Sequence, residues 1–207
     1  MKIMKNPISL SIVLLATPLM GQQVPFAATA NNRFGLDLYR EMAAREGNLC
    51  LSPLSIMTAL AMTANGAAGD TLAEMEKTLH CSGNLSQLNA SMRDLLEDFR
   101  KRKEQAAALA EKNPARKAGG PSFDFTVTNS LFGQEGYPFR REFLATLEKS
   151  YRAPLRFADF RKRAEAERVR INEWVSARTN KKIEDLLPEG SLDSSTGLLL
   201  VNALYFK

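Results

Sequence analysis

The stretch SPLSIMTALAMTAN, residues 52–65, constrains this chain more than any other. Leu54, Ile56, Met57, Ala59, Leu60, Ala61, Met62 and Ala64 spread around the whole circumference of a helix instead of along one stripe. A helix that is apolar on every side has no face to give to water, so the rest of the chain must wrap it. This predicts a central helix over residues 54–65. Ser52 and Ser55 stand at its start, and hydroxyls in such a run need a reason. A serine directly before Pro53 is a helix-start signal: its hydroxyl can accept the amide hydrogen of Ser55, and a proline at the first helical position has no amide hydrogen to leave unpaired. The run GAAGD ends the helix, with Gly66 and Gly69 free to take positive φ.

The flanking segments supply the wrapping. Phe34, Leu38 and Met42, with Leu36, Tyr39 and Ala43 beside them, predict an amphipathic helix across NNRFGLDLYREMAAREGN that Gly47 stops. Thr71, with Glu74 three residues on, reads as the capping box of a further helix whose apolar side is Leu72, Met75 and Leu79. Leu88, Met92, Leu95, Leu96 and Phe99 keep the helical period in the next segment. RKRKEQAAALAEKNPARKAGGP then loses it and reads as an exposed extension or loop.

From residue 122 the period changes. Phe123, Phe125 and Val127 alternate with Asp124, Thr126 and Thr128, the pattern of a strand. YPFRREFLATLEKSYRAP gives a short helix, LRFADF a short strand, and RKRAEAERVRINEWVSARTNKKIEDLLP a longer helix whose apolar side is Ile171, Trp174 and Val175. TGLLLVNALYFK is a continuous apolar run of β character, which implies cover on both faces. One comparable long strand precedes it, so the chain is expected to be the front part of a longer domain, with this strand unpartnered along one edge.

Composition narrows the class. With 207 residues, 44% apolar and 25% charged, the chain has the profile of a soluble globular protein. Its start differs: Lys2 and Lys5 precede the apolar stretch PISLSIVLLATPLMG, and QQVPFAATA ends in the small-x-small pattern Ala28-Thr29-Ala30. This is the layout of a secretory signal peptide, expected over residues 1–30 with cleavage after Ala30. The alternative is a buried first helix, which Pro7, Pro18, Gly21 and Pro25 interrupt. Removal of Lys2 and Lys5 lowers the net charge from +5 to +3. Export permits disulfides, yet there are only two cysteines. Cys50, in NLCLS, reads as a small buried hydrophobe in a strand-like stretch, with a Cys50–Cys81 bridge as the alternative. No spacing suggests a metal site.

Five blocks, in this order and at these separations, carry a resemblance: NLCLSPLSIMTALAMTANGAAGDTLAEM, TNSLFGQEGYPF, ADF, INEWVSARTNKKIEDLLP and LLLVNALYFK. Together they resemble the N-terminal half of a serpin (serine protease inhibitor) domain over residues 31–207. The resemblance implies an α+β fold, incomplete at the C-terminus. Residues 122–132 and 196–206 would be neighbouring strands of its main sheet, and residues 164–179 the helix across its front. It implies inhibition of a serine or cysteine protease by a mechanical route, in which a cleaved reactive loop inserts as a new strand into the main sheet. It also implies a polar cluster beneath that sheet, the shutter, made here by Ser52, Pro53, Ser55 and Asn202, with Leu54 packing beside them. Such a cluster can exchange hydrogen-bond partners between two packed arrangements. The family's later histidine of that cluster, its hinge and its reactive loop have no counterpart in these residues, so the chain by itself is expected to be inactive. The alternative is a non-inhibitory serpin-fold carrier or chaperone-like protein. Lys181 stands where the family often has glycine, and Asn180 is expected to take the left-handed conformation there.

Other function classes fare worse. A serine hydrolase would need a histidine base and a carboxylate near Ser52 or Ser55. The single histidine, His80, ends an amphipathic helix and reads as an exposed surface residue. Gly-x-Ser-x-Gly and phosphate-loop motifs are absent. Arg93, Arg100, Lys101, Arg102 and Lys103, with Arg116 and Lys117 beyond, suggest a polyanion site such as one for glycosaminoglycan, which the resemblance also allows. Asp94, Glu97, Asp98, Glu104 and Glu111 interleave with them and favour a solvated mixed-charge face. The expectation is therefore a secreted, extracellular or periplasmic monomer that is not an enzyme. It needs no cofactor or metal, and has no nucleic-acid partner and no membrane attachment once its leader is gone.

Overall fold

The computed structural model describes residues 24–44, 46–112 and 125–206. Their elements in chain order are α1 (Phe26–Ala43), α2 (Pro53–Ala64), α3 (Gly69–Thr78), α4 (Leu85–Glu111), β1 (Phe125–Gln134), α5 (Arg141–Tyr151), β2 (Arg156–Ala158), α6 (Phe160–Arg178) and β3 (Leu198–Phe206).

The all-apolar helix lies where its composition demands. Met57, Ala61 and Met62 of α2 are completely buried, and α2 packs against α1, α3, α4, α5 and both long strands. Ser52 does not act as foreseen. Its carbonyl accepts the amide of Ile56 at 3.1 Å, but its hydroxyl makes no capping bond. With ψ at 89°, Ser52 stops short of the extended backbone that turns a cap hydroxyl onto the first free amides. Pro53 at the first helical position has already removed one of them. In α3 the helix begins at Gly69, two residues before Thr71, and no side chain caps it. Asp70 in its first turn supplies the charge that the helix dipole favours.

Helix α1 starts at Phe26, inside the stretch expected to be a leader. Ala27 and Ala30 belong to the core, and the backbone N–H of Ala27 donates to Ser91 Oγ of α4 at 2.9 Å. A cut after Ala30 would remove both alanines from that contact. Residues 1–23 of the expected leader lie outside the described residues, as do Arg116, Lys117 and Phe123.

Helix α4 continues through the polar segment expected to be loop. Lys, Glu, Gln, Ala and Leu there are strong helix formers, and charged pairs one turn apart add support on a face that has no core to meet.

The sheet order is β2-β1-β3. β1 and β3 pair antiparallel, from Phe125 opposite Phe206 to Gly133 opposite Leu198, and β2 pairs parallel with residues 132–134 of β1. Side-chain alternation divides the core between the two faces. Leu131 and Leu200 join the cluster around Met57, Met62, Leu88 and Leu147 from the helices α1 to α5. Phe132, Val201 and Ala203 face a second cluster with Ile171 and Val175 of α6. Helix α6 therefore lies across the opposite face of the sheet from α2. Arg163 has non-helical φ/ψ, so the regular helix runs from residue 164, as the resemblance implies. Asp159 caps the turn that precedes the kink by accepting the amide of Lys162. Asn180 and Lys181 both take positive φ in the turn that follows.

The two cysteines are not bridged. Cys81 is buried, and burial pushes its thiol up to about 11. Cys50 is exposed, against the expectation of a buried hydrophobe, because residues 48–52 form no strand and find no sheet partner to cover them.

Candidate functional site

The register of β1 on β3 sets Asn129 directly opposite Asn202. Both side chains point to the face covered by α2, where Ser55, completely buried, is the polar residue of the first helical turn. Asn202 Nδ2 donates to Ser55 Oγ at 2.6 Å and to Asn129 Oδ1 at 2.5 Å. Asn129 Nδ2 in turn donates to the backbone carbonyl of Ser55 at 3.1 Å. Two strands and a buried helix are thus tied at one point by three hydrogen bonds among neutral groups, on the strand that lies at the edge of the described sheet.

Of the four residues singled out from the sequence, Ser55 and Asn202 are joined by a hydrogen bond. Ser52 is not: its hydroxyl has no hydrogen bond among the described residues, and it contributes only the carbonyl that opens the helix. Pro53 packs at the helix start, where its ring lies 2.9 Å from the point a side chain at Gly35 of α1 would occupy. Asn129 is the member that sequence reasoning missed. The strand alternation did hold a signal, because Asn129 has the parity of Phe125 and Val127 and therefore belongs to the inward, apolar face. A polar residue at an inward position asks for a partner.

This cluster cannot do nucleophilic chemistry. Ser55 Oγ is engaged by an amide and not by a base, and the chain's single histidine is used elsewhere. His80 is half-buried, not exposed as expected, with Nε2 2.7 Å from Asp37 Oδ2 of α1. That hydrogen bond, more than the charge of Arg40, holds the Asp37 carboxyl below its usual range. Among the described residues no group of His, Cys, Asp or Glu is arranged to hold a metal ion, and no helix is long and apolar enough to cross a membrane.

The basic run on α4 is locally neutralised. Arg93 bonds Asp94, Arg100 bonds Glu97 and Glu104, Arg102 bonds Asp98 at 2.7 Å, and Lys101 lies 4.0 Å from Glu97. Lys103 also has an interaction partner. The face offers alternating charge instead of a positive field. The chain should therefore elute from a heparin column at the salt expected of a weakly basic protein of the same net charge. Retention to distinctly higher salt would show that a polyanion displaces these pairs.

The family model for Serpin (serine protease inhibitor) matches residues 29–207. Leukocyte elastase inhibitor of Sus scrofa is 40% identical over 182 residues, which cover 87% of this chain and 43% of that protein. Serpin B13 of Homo sapiens is 35% identical over 181 residues, covering 86% of this chain and 45% of that one. Among solved structures, ovalbumin from emu (Dromaius novaehollandiae) superposes with a TM-score of 0.69 at 28% identity, covering 87% of this chain and 46% of that chain. Arabidopsis AtSerpin1 in its native stressed conformation gives 0.67 at 29% identity, covering 90% and 44%. The chain spans less than half the length of these relatives.

Proposed function

The chain belongs to the serpin (serine protease inhibitor) family, and we propose that in its intact form it is a secreted inhibitor of a serine protease that works by inserting its cleaved reactive loop into the main sheet. The relative from Sus scrofa is named as an inhibitor, which supports a reading as an inhibitor and not as an enzyme. The observation that carries the proposal is the Ser55–Asn129–Asn202 cluster under the β1–β3 pair. A sheet that must part to admit a strand needs contacts beneath it that re-pair instead of contacts that only pack, and amide and hydroxyl groups supply these. Sheet opening would be the stored-strain step that loop insertion releases.

Export rests on the basic, apolar and small-residue order of residues 1–30. In this reading residues 31–207 by themselves would not inhibit, because the family's reactive loop has no counterpart in them. The pig relative's name makes an elastase-type protease the first target to try.

The test uses the intact secreted protein against elastase-type and trypsin-type serine proteases and a papain-type cysteine protease. The expected result is a complex with a serine protease that survives denaturing electrophoresis, together with loss of protease activity. Complex formation with the cysteine protease alone would correct the target class. Cleavage without complex by every protease would overturn inhibition and leave the non-inhibitory reading. The N-terminal sequence of the same secreted material tests export: retention of Met1 on protein found only inside the cell would remove that part of the proposal.

A further inference from the structure

Helix α1 begins inside the stretch that the sequence assigns to the leader, and its first turn is built into the molecule. Ala27 is completely buried and Ala30 is 2% exposed. Both belong to one cluster with Phe34 of the same helix and with Leu88 and Met92 of α4, and Phe26 packs against it. The first amides of a helix have no partner within the helix. Here the N–H of Ala27 donates across to Ser91 Oγ of α4 at 2.9 Å, and those of Ala28 and Thr29 donate to the Pro25 carbonyl at 2.9 Å and 3.1 Å. Whether a terminus tolerates truncation is decided by the burial and hydrogen bonding of the backbone removed. On both counts residues 26–30 belong to the folded domain, and the family match itself includes Thr29 and Ala30.

A cut after Ala30 would undo this turn. It takes Ala27 and Ala30 from the cluster, which leaves a hole beside Leu88 and Met92. It removes the donor from Ser91 Oγ. It also places the new α-ammonium of Asn31 at the start of the shortened helix, where the helix dipole disfavours a cation. The small residues that suggest such a cut have another use. Ala27, Ala30 and Phe34 follow the helical spacing on one face, and that face is the one α1 turns to the core beside α4. The order of the leader offers an earlier bond. Its apolar run ISLSIVLLA ends at Ala16, and a leader is cut beyond such a run, after a small residue. Gly21 is the last small residue ahead of α1.

We propose that the export peptidase cuts this chain at the Gly21–Gln22 bond, upstream of α1, so that the mature protein keeps the whole helix. The inference rests on the export reading above and fixes where its leader ends. Water adds across the bond, leaving the carboxylate of Gly21 on the leader and the amine of Gln22 on the mature chain. Val24 and Pro25 are exposed, so a cut ahead of them takes nothing that the described core uses.

The test reads the first residue and the mass of the exported intact protein. The expected first residue is Gln22. An exported chain that begins at Ala27 or later, Asn31 in particular, would overturn this inference and leave export standing. Met1 retained on protein found only inside the cell would overturn export, and this inference with it. Two variants separate the bonds. Gly21→Leu puts bulk on the small position of the proposed cut and should raise the uncut precursor by at least about tenfold, the discrimination a small pocket exerts. Ala28→Gln spoils only the later small-x-small pattern and should leave the first residue at Gln22. Processing blocked by Ala28→Gln and indifferent to Gly21→Leu would overturn the assignment. Deletion of residues 22–30, which starts the mature chain at Asn31, should lower the melting midpoint of the intact protein by about 10 °C or abolish its exported yield, whereas a midpoint within about 2 °C of the parent would show that the first turn is dispensable and overturn the proposal.

Discussion

Replacing Gly133 with alanine lowers the stability of the chain by about 3 kcal/mol, read as a shift of the denaturant midpoint at unchanged slope. Gly133 lies in β1 where the strand is paired on both sides, opposite Phe157 of β2 and Leu198 of β3. Its backbone therefore cannot retreat without breaking two ladders. A Cβ at that position would come within 2.6 Å of the Phe139 ring and 2.9 Å of Leu155 Cδ2. The ring is not free to swing, since it packs between Tyr137 at 4.9 Å, Phe143 at 6.2 Å and Phe157 at 6.3 Å between centroids. Leu155 is itself buried. The methyl group must displace well-packed neighbours, which is the overpacking case at its most confined. Trimming the obstacle should undo the damage: Gly133→Ala with Phe139→Leu recovers more than half of the loss that Gly133→Ala adds to Phe139→Leu alone. A contrasting position calibrates the result. Gly136 has φ +76° with open space around its Cβ direction, so alanine there costs only the backbone preference, about 1 kcal/mol. If Gly133→Ala lies within about 0.5 kcal/mol of the parent, the close approach of Phe139 is not what holds this corner.

What could be read in advance follows the strength of the local physics. The helix at 53–64 was legible because an all-apolar circumference has one solution, and β1 and β3 because alternation and a long apolar run mark strands. The positive φ at Asn180 could be anticipated from a turn that needs a left-handed residue. Where the sequence misled, a local signal had lost to a wider one. Ser52-Pro53 looks like a hydroxyl cap, yet the backbone angle at Ser52 is set by how the 48–52 connector approaches the core, which no short window contains. The tail of α4 looks like loop because it has no apolar stripe, but propensity and ion pairs carry a helix that nothing buries. Cys50 sits among apolar neighbours without being covered, because burial depends on what lies opposite.

The Ser55 cluster lies between these extremes, and a mutant cycle separates what the sequence named from what the structure added. Asn202→Ala is expected to cost about 2 kcal/mol, because Ser55 Oγ and Asn129 Oδ1 both lose their donor in a buried setting. Asn129→Ala should cost a similar amount, about 2 kcal/mol, since it takes the donor from the Ser55 carbonyl and the acceptor from Asn202. The two residues share one bond, at 2.5 Å, which each single change already removes. The double variant should therefore be less damaging than the sum by about 1 kcal/mol. Ser55→Ala keeps the carbonyl that Asn129 bonds and removes only the hydroxyl, so it should cost less than either asparagine change, about 1 kcal/mol. Ser52→Ala touches none of these bonds and should fall within about 0.5 kcal/mol of the parent. Strict additivity of the two asparagine changes would mean that the strands do not hold each other through this pair. An effect of Ser52→Ala equal to that of Ser55→Ala would return Ser52 to the cluster. The ordering in between has a meaning for the proposed sheet opening: the hydrogen bond from β3 to α2 that would have to yield is the Asn202 amide on the Ser55 hydroxyl, and Ser52 takes no part in it.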